Sequence, residues 1–373
     1  MDGQGAMTNQ PVDAAPEPAF RVSNAMRLTG RQLAGLGLFA AAIVLLAPPA
    51  WKWMEPLECG ADYRVPYRLS NDYWLFERIA RDAAGRCDTL LLGDSVVWGQ
   101  YVRPGQTLSH HLGELAGREG FANLGVDGMH PVALAGLVDH HGGAIAGKRV
   151  VLHCNPLWMS SAKHDLRGED EFRFNHPALV PQFAPRIPCY REEVSRRIGY
   201  VVERNVSFLG WANHLQQAYF GQTSIPEWAL EHPYDNPAGA VTLRLPSPAD
   251  DTLRHRPRPW MEQGILPQDF AWVDLEGSFQ WRSFRRALEI LRARGNSVFV
   301  VVGPFNEHLL TETGRAGHAR IRDGIVAWLV ANGVEHDAPP ALPSERYADA
   351  SHPLAEGYRL LAQRLAKAIG SAR

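Results

Sequence analysis

The chain has 373 residues, 45% of them hydrophobic and 21% charged, so it holds enough apolar material for a sizeable buried core. Its formal net charge is -2, which gives no basis for expecting nucleic acid as the main partner. Trp 11 and Pro 27 suit loop-rich, aromatic-lined surfaces of the kind found in carbohydrate binders, without being diagnostic of them.

Residues 1–30 are polar and rich in Pro and Ala, and are expected to form a disordered cytoplasmic tail. Residues 33–50 then carry no charge, a run that as helix spans roughly 27 Å and just matches a bilayer's hydrocarbon core. Arg21, Arg27 and Arg31 precede the run, while Trp51, Trp53, Glu55 and Glu58 follow it. Basic flanks stay inside and tryptophans favour the interface, so residues 31–53 are expected to be a single-pass anchor in the inner (cytoplasmic) membrane. Residues 54–373 would then lie on the extracytoplasmic, periplasmic side. A cleaved signal peptide is the competing reading, disfavoured by the long leading segment and the poor cleavage site Pro48-Pro49-Ala50. A buried soluble helix is the third.

Beyond the anchor, Ser70-Asn71-Asp72 reads as a helix cap followed by Trp74, Leu75, Ile79 and Ala80 at helical spacing toward Gly85. Asp88 to Leu92 is an apolar run suited to a parallel strand buried on both faces. A helix over 106–115, a short strand at 122–124 and a helix over 131–140 follow. Strands are expected at 149–153 and 298–302, helices at 278–294 and 316–331, and a last helix at 354–369. Alternating strands and helices of this kind predict an α/β fold, a three-layer α/β/α sandwich with a mostly parallel sheet. Between the third and fourth strands regularity lapses. Residues 156–277 are rich in proline with one helical region over 190–220, and are read as a large insertion over the site.

Chemistry-bearing residues collect where strands end, which is where such sheets bind ligands. Gly93-Asp94-Ser95 closes the first strand, and Asp349-Ala350-Ser351-His352 offers a carboxylate and an imidazole three residues apart. A serine hydroxyl becomes a useful nucleophile when a base takes its proton and a third group orients that base. Asn123-Leu124-Gly125-Val126-Asp127-Gly128 and His153-Cys154-Asn155-Pro156 close the second and third strands. Each has a plainer reading: ordinary turns at Gly93–Ser95 and Gly128, a strand-end cap at Asn155, and a helix-terminal ion pair at Asp349 and His352.

Taken together in this order, the four blocks resemble the SGNH branch of the GDSL esterase superfamily. That family has a Gly-Asp-Ser turn, an Asn-x-Gly-x-x-Gly-like turn, an asparagine after a buried strand and an Asp-x-x-His. The third block departs from the usual Gly-x-Asn-Asp, since Pro156 follows Asn155. In this it is similar to membrane-anchored relatives in cell-surface acyl transfer, such as the DltD proteins of teichoic-acid D-alanylation and proteins associated with polysaccharide O-acetyltransferases. The resemblance implies a catalytic Ser95, His352 and Asp349, with an oxyanion hole from the Ser95 and Gly128 N–H groups and the Asn155 amide. It implies O-acyl, above all O-acetyl, transfer to or from a surface or exported polysaccharide through an acyl-enzyme on Ser95. The acyl donor would be a multispanning membrane acyltransferase, and no cofactor or metal is implied. A carbohydrate O-acetylesterase is the alternative, and a non-catalytic glycan-binding scaffold a second.

Trp158, Asn306 and His308 are further substrate-binding candidates, each with a packing or loop role as the plainer reading. Arg254, Arg256 and Arg258 could meet an acidic glycan or simply be solvated. The pairs His110-His111 and His140-His141 do not argue for metal, because adjacent residues on a helix point apart. Of the four cysteines, Cys59 and Cys87 would bridge in an oxidising compartment; four free thiols are the equal alternative.

Overall fold

The computed structural model describes residues 28–60, 62–118, 120–247 and 256–371. Most of the expected N-terminal tail, and Arg254, lie outside them. The chain divides into two compact units, one ending at Ala47 and one running from Pro48. The body thus begins earlier than the expected boundary at residue 54. Helix α1 (Gly30–Met54) crosses this boundary and is the one helix among the described residues long and apolar enough to span a membrane. Pro48 is buried in the body, and Trp51 packs its ring at 5.7 Å from Trp211 rather than facing out, whereas Trp53 is 88% exposed.

The body is α/β. Its elements are α2 (Tyr73–Arg86), β1 (Thr89–Gly93), α3 (Ser95–Trp98), α4 (Leu108–Ala116), β2 (Phe121–Gly125), α5 (Pro131–His141) and β3 (Arg149–Cys154). The insertion follows with α6 (Val194–Asn205), α7 (Ser207–Tyr219), α8 (Ile225–Glu231) and α9 (Pro237–Ala240). Then come α10 (Phe279–Ala293), β4 (Ser297–Val302), α11 (Glu312–Ala331), β5 (Glu335–Asp337) and α12 (Ala355–Ser371). The five strands form one parallel sheet in the order β2-β1-β3-β4-β5, and the order reverses between β1 and β3. A crevice opens at the carboxyl ends of strands where the order reverses.

Strand period explains the layers. Leu90 and Leu92 face one side with Val150, Leu152, Val298 and Val300, against α2, α5, α10 and α11. Leu91 faces the other with Val151, Phe299 and Val301, against α4 and α12. Leu90, Leu91 and Leu92 are each 0% exposed, and each such burial contributes about 1.5–3 kcal/mol. Helix starts follow their caps. The Asp72 carboxylate accepts from Leu75 N–H at 2.9 Å, and the Thr107 hydroxyl accepts from His110 N–H, which delays α4 to Leu108. The helical region expected over 190–220 is two helices broken at Val206. The four cysteines are free thiols here, so no Cys59–Cys87 bridge is present.

Candidate active site

Three of the four blocks of the site hang on strand ends, those of β1, β2 and β3. β1 terminates at Gly93, and the Asp94 carboxylate accepts from Val96 N–H at 3.0 Å, which starts α3 and puts Ser95 at its first position. At the far end of α3, the buried Arg64 guanidinium donates to the Trp98 and Gly99 carbonyls at 3.0 and 2.7 Å. Gly125, at the end of β2, lets that strand lie against α3, because a Cβ there would sit 2.3 Å from Trp98 N.

The C-terminal block is a braced loop. Tyr347 is 0% exposed, bridges antiparallel to Pro353, and donates its hydroxyl to the Phe305 carbonyl at 3.1 Å. Asn306 donates through Nδ2 to the Asp349 carbonyl at 3.0 Å. Asp349 Oδ1 accepts the N–H groups of Ser351 and His352, each at 3.0 Å. So fixed, the carboxylate meets His352 Nδ1 at 2.8 Å, and His352 Nε2 lies 2.7 Å from Ser95 Oγ. The serine and histidine are 257 positions apart in sequence, and only the fold joins them. Tyr101, which no motif flagged, donates its hydroxyl to Asp349 Oδ2 at 3.1 Å.

Burial alone would push the His352 imidazole down. The adjacent Asp349 carboxylate, with Asp94 and Asp127 behind it, outweighs burial, so the group lies above its ordinary value. Asp349 is pulled to about 2: burial opposes this, but His352 and the two backbone donors prevail. The carboxylate is therefore ionised and the imidazole more basic than an ordinary histidine. That is the arrangement that lets a histidine take a serine proton.

A second cluster gathers on Asp94. Its Oδ1 meets His153 Nδ1 at 3.0 Å, while its Oδ2 accepts from Asn155 Nδ2 at 2.8 Å and Trp158 Nε1 at 3.0 Å. His153 Nε2 reaches the Gly303 carbonyl at 3.0 Å, so this one carboxylate ties the ends of β1, β3 and β4. Despite complete burial, the carboxyl is held well below its usual range by His153 first and then Asn155. Asn155 Oδ1 accepts from Leu157 N–H, so one Nδ2 hydrogen remains for a ligand. Trp158, a substrate-binding candidate, is a half-buried brace of this cluster.

The Gly128 turn sits beside them. Its φ of +70° favours glycine, and a Cβ would lie 2.2 Å from Asn175 Nδ2, a side chain of the insertion. Gly128 N–H donates to no acceptor among the described residues, and Ser95 N–H, first in its helix, has no intrahelical acceptor. Two buried histidines fasten this turn to the insertion. Burial pushes His130 down to about 3 and His176 to about 4, so both are neutral at ordinary pH. His130 Nε2 then donates to the Asn175 carbonyl at 3.1 Å, and His176 Nε2 to the Asp127 carbonyl at 2.7 Å.

Ser95 and His352 keep only 7% and 8% exposure. The remaining predicted residues fall outside the relay. Asn306 is 0% exposed and braces the Asp349 loop, which leaves it no surface for substrate and corrects the expectation that it lines the cleft. His308 is exposed and bonds the Leu342 carbonyl at 3.0 Å. Among the described residues no group of three or more His, Cys, Asp or Glu is placed to hold a metal. No protein-family model matches this chain, and no curated protein matches it either.

Proposed function

We propose that this chain is a membrane-anchored serine acyltransferase of SGNH type that moves an acyl group, acetyl first among them, onto a cell-surface or exported polysaccharide outside the cytoplasm. The observation that carries the reading is the unbroken hydrogen-bonded line from Ser95 Oγ through His352 to Asp349, 2.7 and 2.8 Å. Ser95 Oγ attacks the acyl carbonyl as His352 Nε2 takes its proton, with Asp349 holding Nδ1–H. The oxyanion that forms is met by the N–H groups of Ser95 and Gly128 and the spare Asn155 amide hydrogen. Collapse expels the donor's oxygen, protonated by His352, and leaves the acyl group on Ser95. A glycan hydroxyl, deprotonated by the same imidazole, then attacks the acyl-enzyme and restores the serine.

Helix α1 is read as a retained anchor. Its helical backbone runs through 48–54, and Glu55 beyond it is wholly buried in the body. Transfer is favoured over hydrolysis because the anchor keeps the site beside the membrane, where a multispanning partner would supply the acyl group. A fluorophosphonate probe labels only an activated serine. Wild type should label and Ser95→Ala should not; unlabelled wild type, or equal labelling of both, overturns the enzyme reading. With an acetyl-ester donor and a polysaccharide acceptor, acetylated glycan is expected. Free acetate alone would instead make the protein an esterase.

A further inference from the structure

Helix α6 places Val194, Ile198 and Val202 four residues apart, one apolar stripe along a helix that also carries Arg196, Arg197, Glu203 and Arg204. In a soluble domain such a stripe turns toward the core. Here it turns outward: Val194, Ile198 and Val202 are 61%, 50% and 41% exposed. On the other side Tyr200, Glu203 and Arg204 are half-buried and line a small cavity with Tyr73, Trp74 and His141. Leu209, at the start of α7, is likewise 38% exposed.

Its location gives the inversion a meaning. α7 is the helix that grips the last turn of α1: Trp211 and Tyr219 pack against Trp51 at 5.7 and 6.3 Å, and His214 Nε2 meets Glu55 at 2.9 Å. The exposed stripe is therefore on the helix that runs directly into the one holding the point where the apolar helix enters the body. It consists of branched aliphatics, without the Trp, Tyr or Arg anchors that dominate protein interfaces. Arg191, exposed, precedes the stripe in the chain, and a long basic side chain beside an apolar face can reach lipid headgroups.

We propose that α6 lies in the interfacial layer of the bilayer with Val194, Ile198, Val202 and Leu209 in lipid, a second membrane contact beside the anchor; this rests on the reading of α1 as that anchor. A lone spanning helix leaves a domain free to turn about the helix axis. A second contact stops that rotation and fixes which way the Ser95 cleft faces. The test uses the full-length chain in phosphatidylethanolamine–phosphatidylglycerol nanodiscs, in a Cys59→Ser background because the other three thiols are buried. Single nitroxides replace Ile198 or Val202, with Leu38 of α1 and the exposed Arg320 of α11 as references. The ratio of collisions with oxygen to collisions with a nickel chelate should be several-fold higher at Ile198 and Val202 than at Arg320, and approach that at Leu38. Ratios equal to Arg320 with Leu38 in lipid would overturn the second contact alone. Low collision with both reagents at Ile198, meaning cover by protein, would overturn it too. A Leu38 ratio like that of Arg320 would overturn the anchor itself.

Discussion

His352 and His214 are both buried imidazoles held by carboxylates at hydrogen-bond distance, and the two regions differ in what meets the second ring nitrogen. His352 has Asp349 on Nδ1 and the Ser95 hydroxyl on Nε2, with 8% exposure toward a ligand. His214 has Asp72 on Nδ1 at 2.6 Å and Glu55 on Nε2 at 2.9 Å, and is 0% exposed. Arg78 and Tyr219 also converge on Glu55. Burial opposes charge on His214, yet Asp72 and then Glu55 raise it to about 9, so it is a fixed cation clamping the end of α1 to α2 and α7. A histidine beside a carboxylate is thus not a catalyst by that fact alone. It becomes one when the second nitrogen faces a nucleophile rather than another anion.

The comparison is broken most severely at Asp349. Asp349→Asn keeps the side chain's shape but removes the charge that orients and stabilises the imidazolium, and kcat is expected to fall about ten-thousand-fold with thermal unfolding little changed. Steady-state kinetics alongside calorimetry checks both halves. His214→Leu should do the reverse. It strands Glu55 and Asp72 in a buried site and is expected to cost about 3–5 kcal/mol of stability, while the folded fraction keeps its kcat. Denaturant titration of the detergent-solubilised chain measures the first, and active-site titration normalises the second.

The pH signs differ as well. His214 is raised from 6.5 to about 9, so its contribution to stability is complete below about pH 6.5 and is lost as pH rises toward 9. Wild-type melting temperature should fall over that window, and His214→Leu should flatten the fall. His352 is also raised, but it acts only when neutral. Activity should therefore decline as pH falls through a value above 6.5, which a kcat/KM profile would locate.

Much of this was legible in the sequence where chemistry is local. Leu90 to Leu92 and Val298 to Val302 are unbroken apolar runs, and strands buried on both faces leave that signature. β5 left none, since Glu335-His336-Asp337 lies polar and unburied at the sheet edge. The break at Val206 was hidden because neither Gly nor Pro marks it. Ser95, His352 and Asp349 were readable as motifs. Tyr101 was not, because its bond to Asp349 spans 248 positions, and the gathering of His153, Asn155 and Trp158 on Asp94 exists only once the ends of β1 and β3 meet. Asn306 shows the opposite case: a polar residue after a strand end reads as cleft lining, but it is buried and its Nδ2 donates to the backbone of the Asp349 loop.

Asp94 sharpens the contrast between orienting and reacting groups. It touches neither Ser95 Oγ nor a ring nitrogen of His352, but it fixes Asn155 and adds negative charge behind the imidazole. Asp94→Asn puts an NH2 donor where the carboxylate oxygen accepts from Asn155 and Trp158, and should reduce kcat roughly a hundredfold through the displaced Asn155 amide. Removing that charge should also move the acidic limb of the kcat/KM profile to lower pH.

Tyr101→Phe is the smallest change and the most discriminating. It deletes one neutral donor to Asp349 Oδ2 and leaves the 2.8 Å contact with His352 in place, so the loss is about 1 kcal/mol, roughly five-fold in rate. Without that O–H the Asp349 charge is less dispersed and holds the imidazolium more firmly. The acidic limb should therefore shift to higher pH, opposite in sign to Asp94→Asn. Were Tyr101 only a packing residue, the rate would fall with the limb unmoved. Two substitutions near one histidine that displace its titration in opposite directions would mark that histidine, and not His214, as the base whose charge the reaction reads.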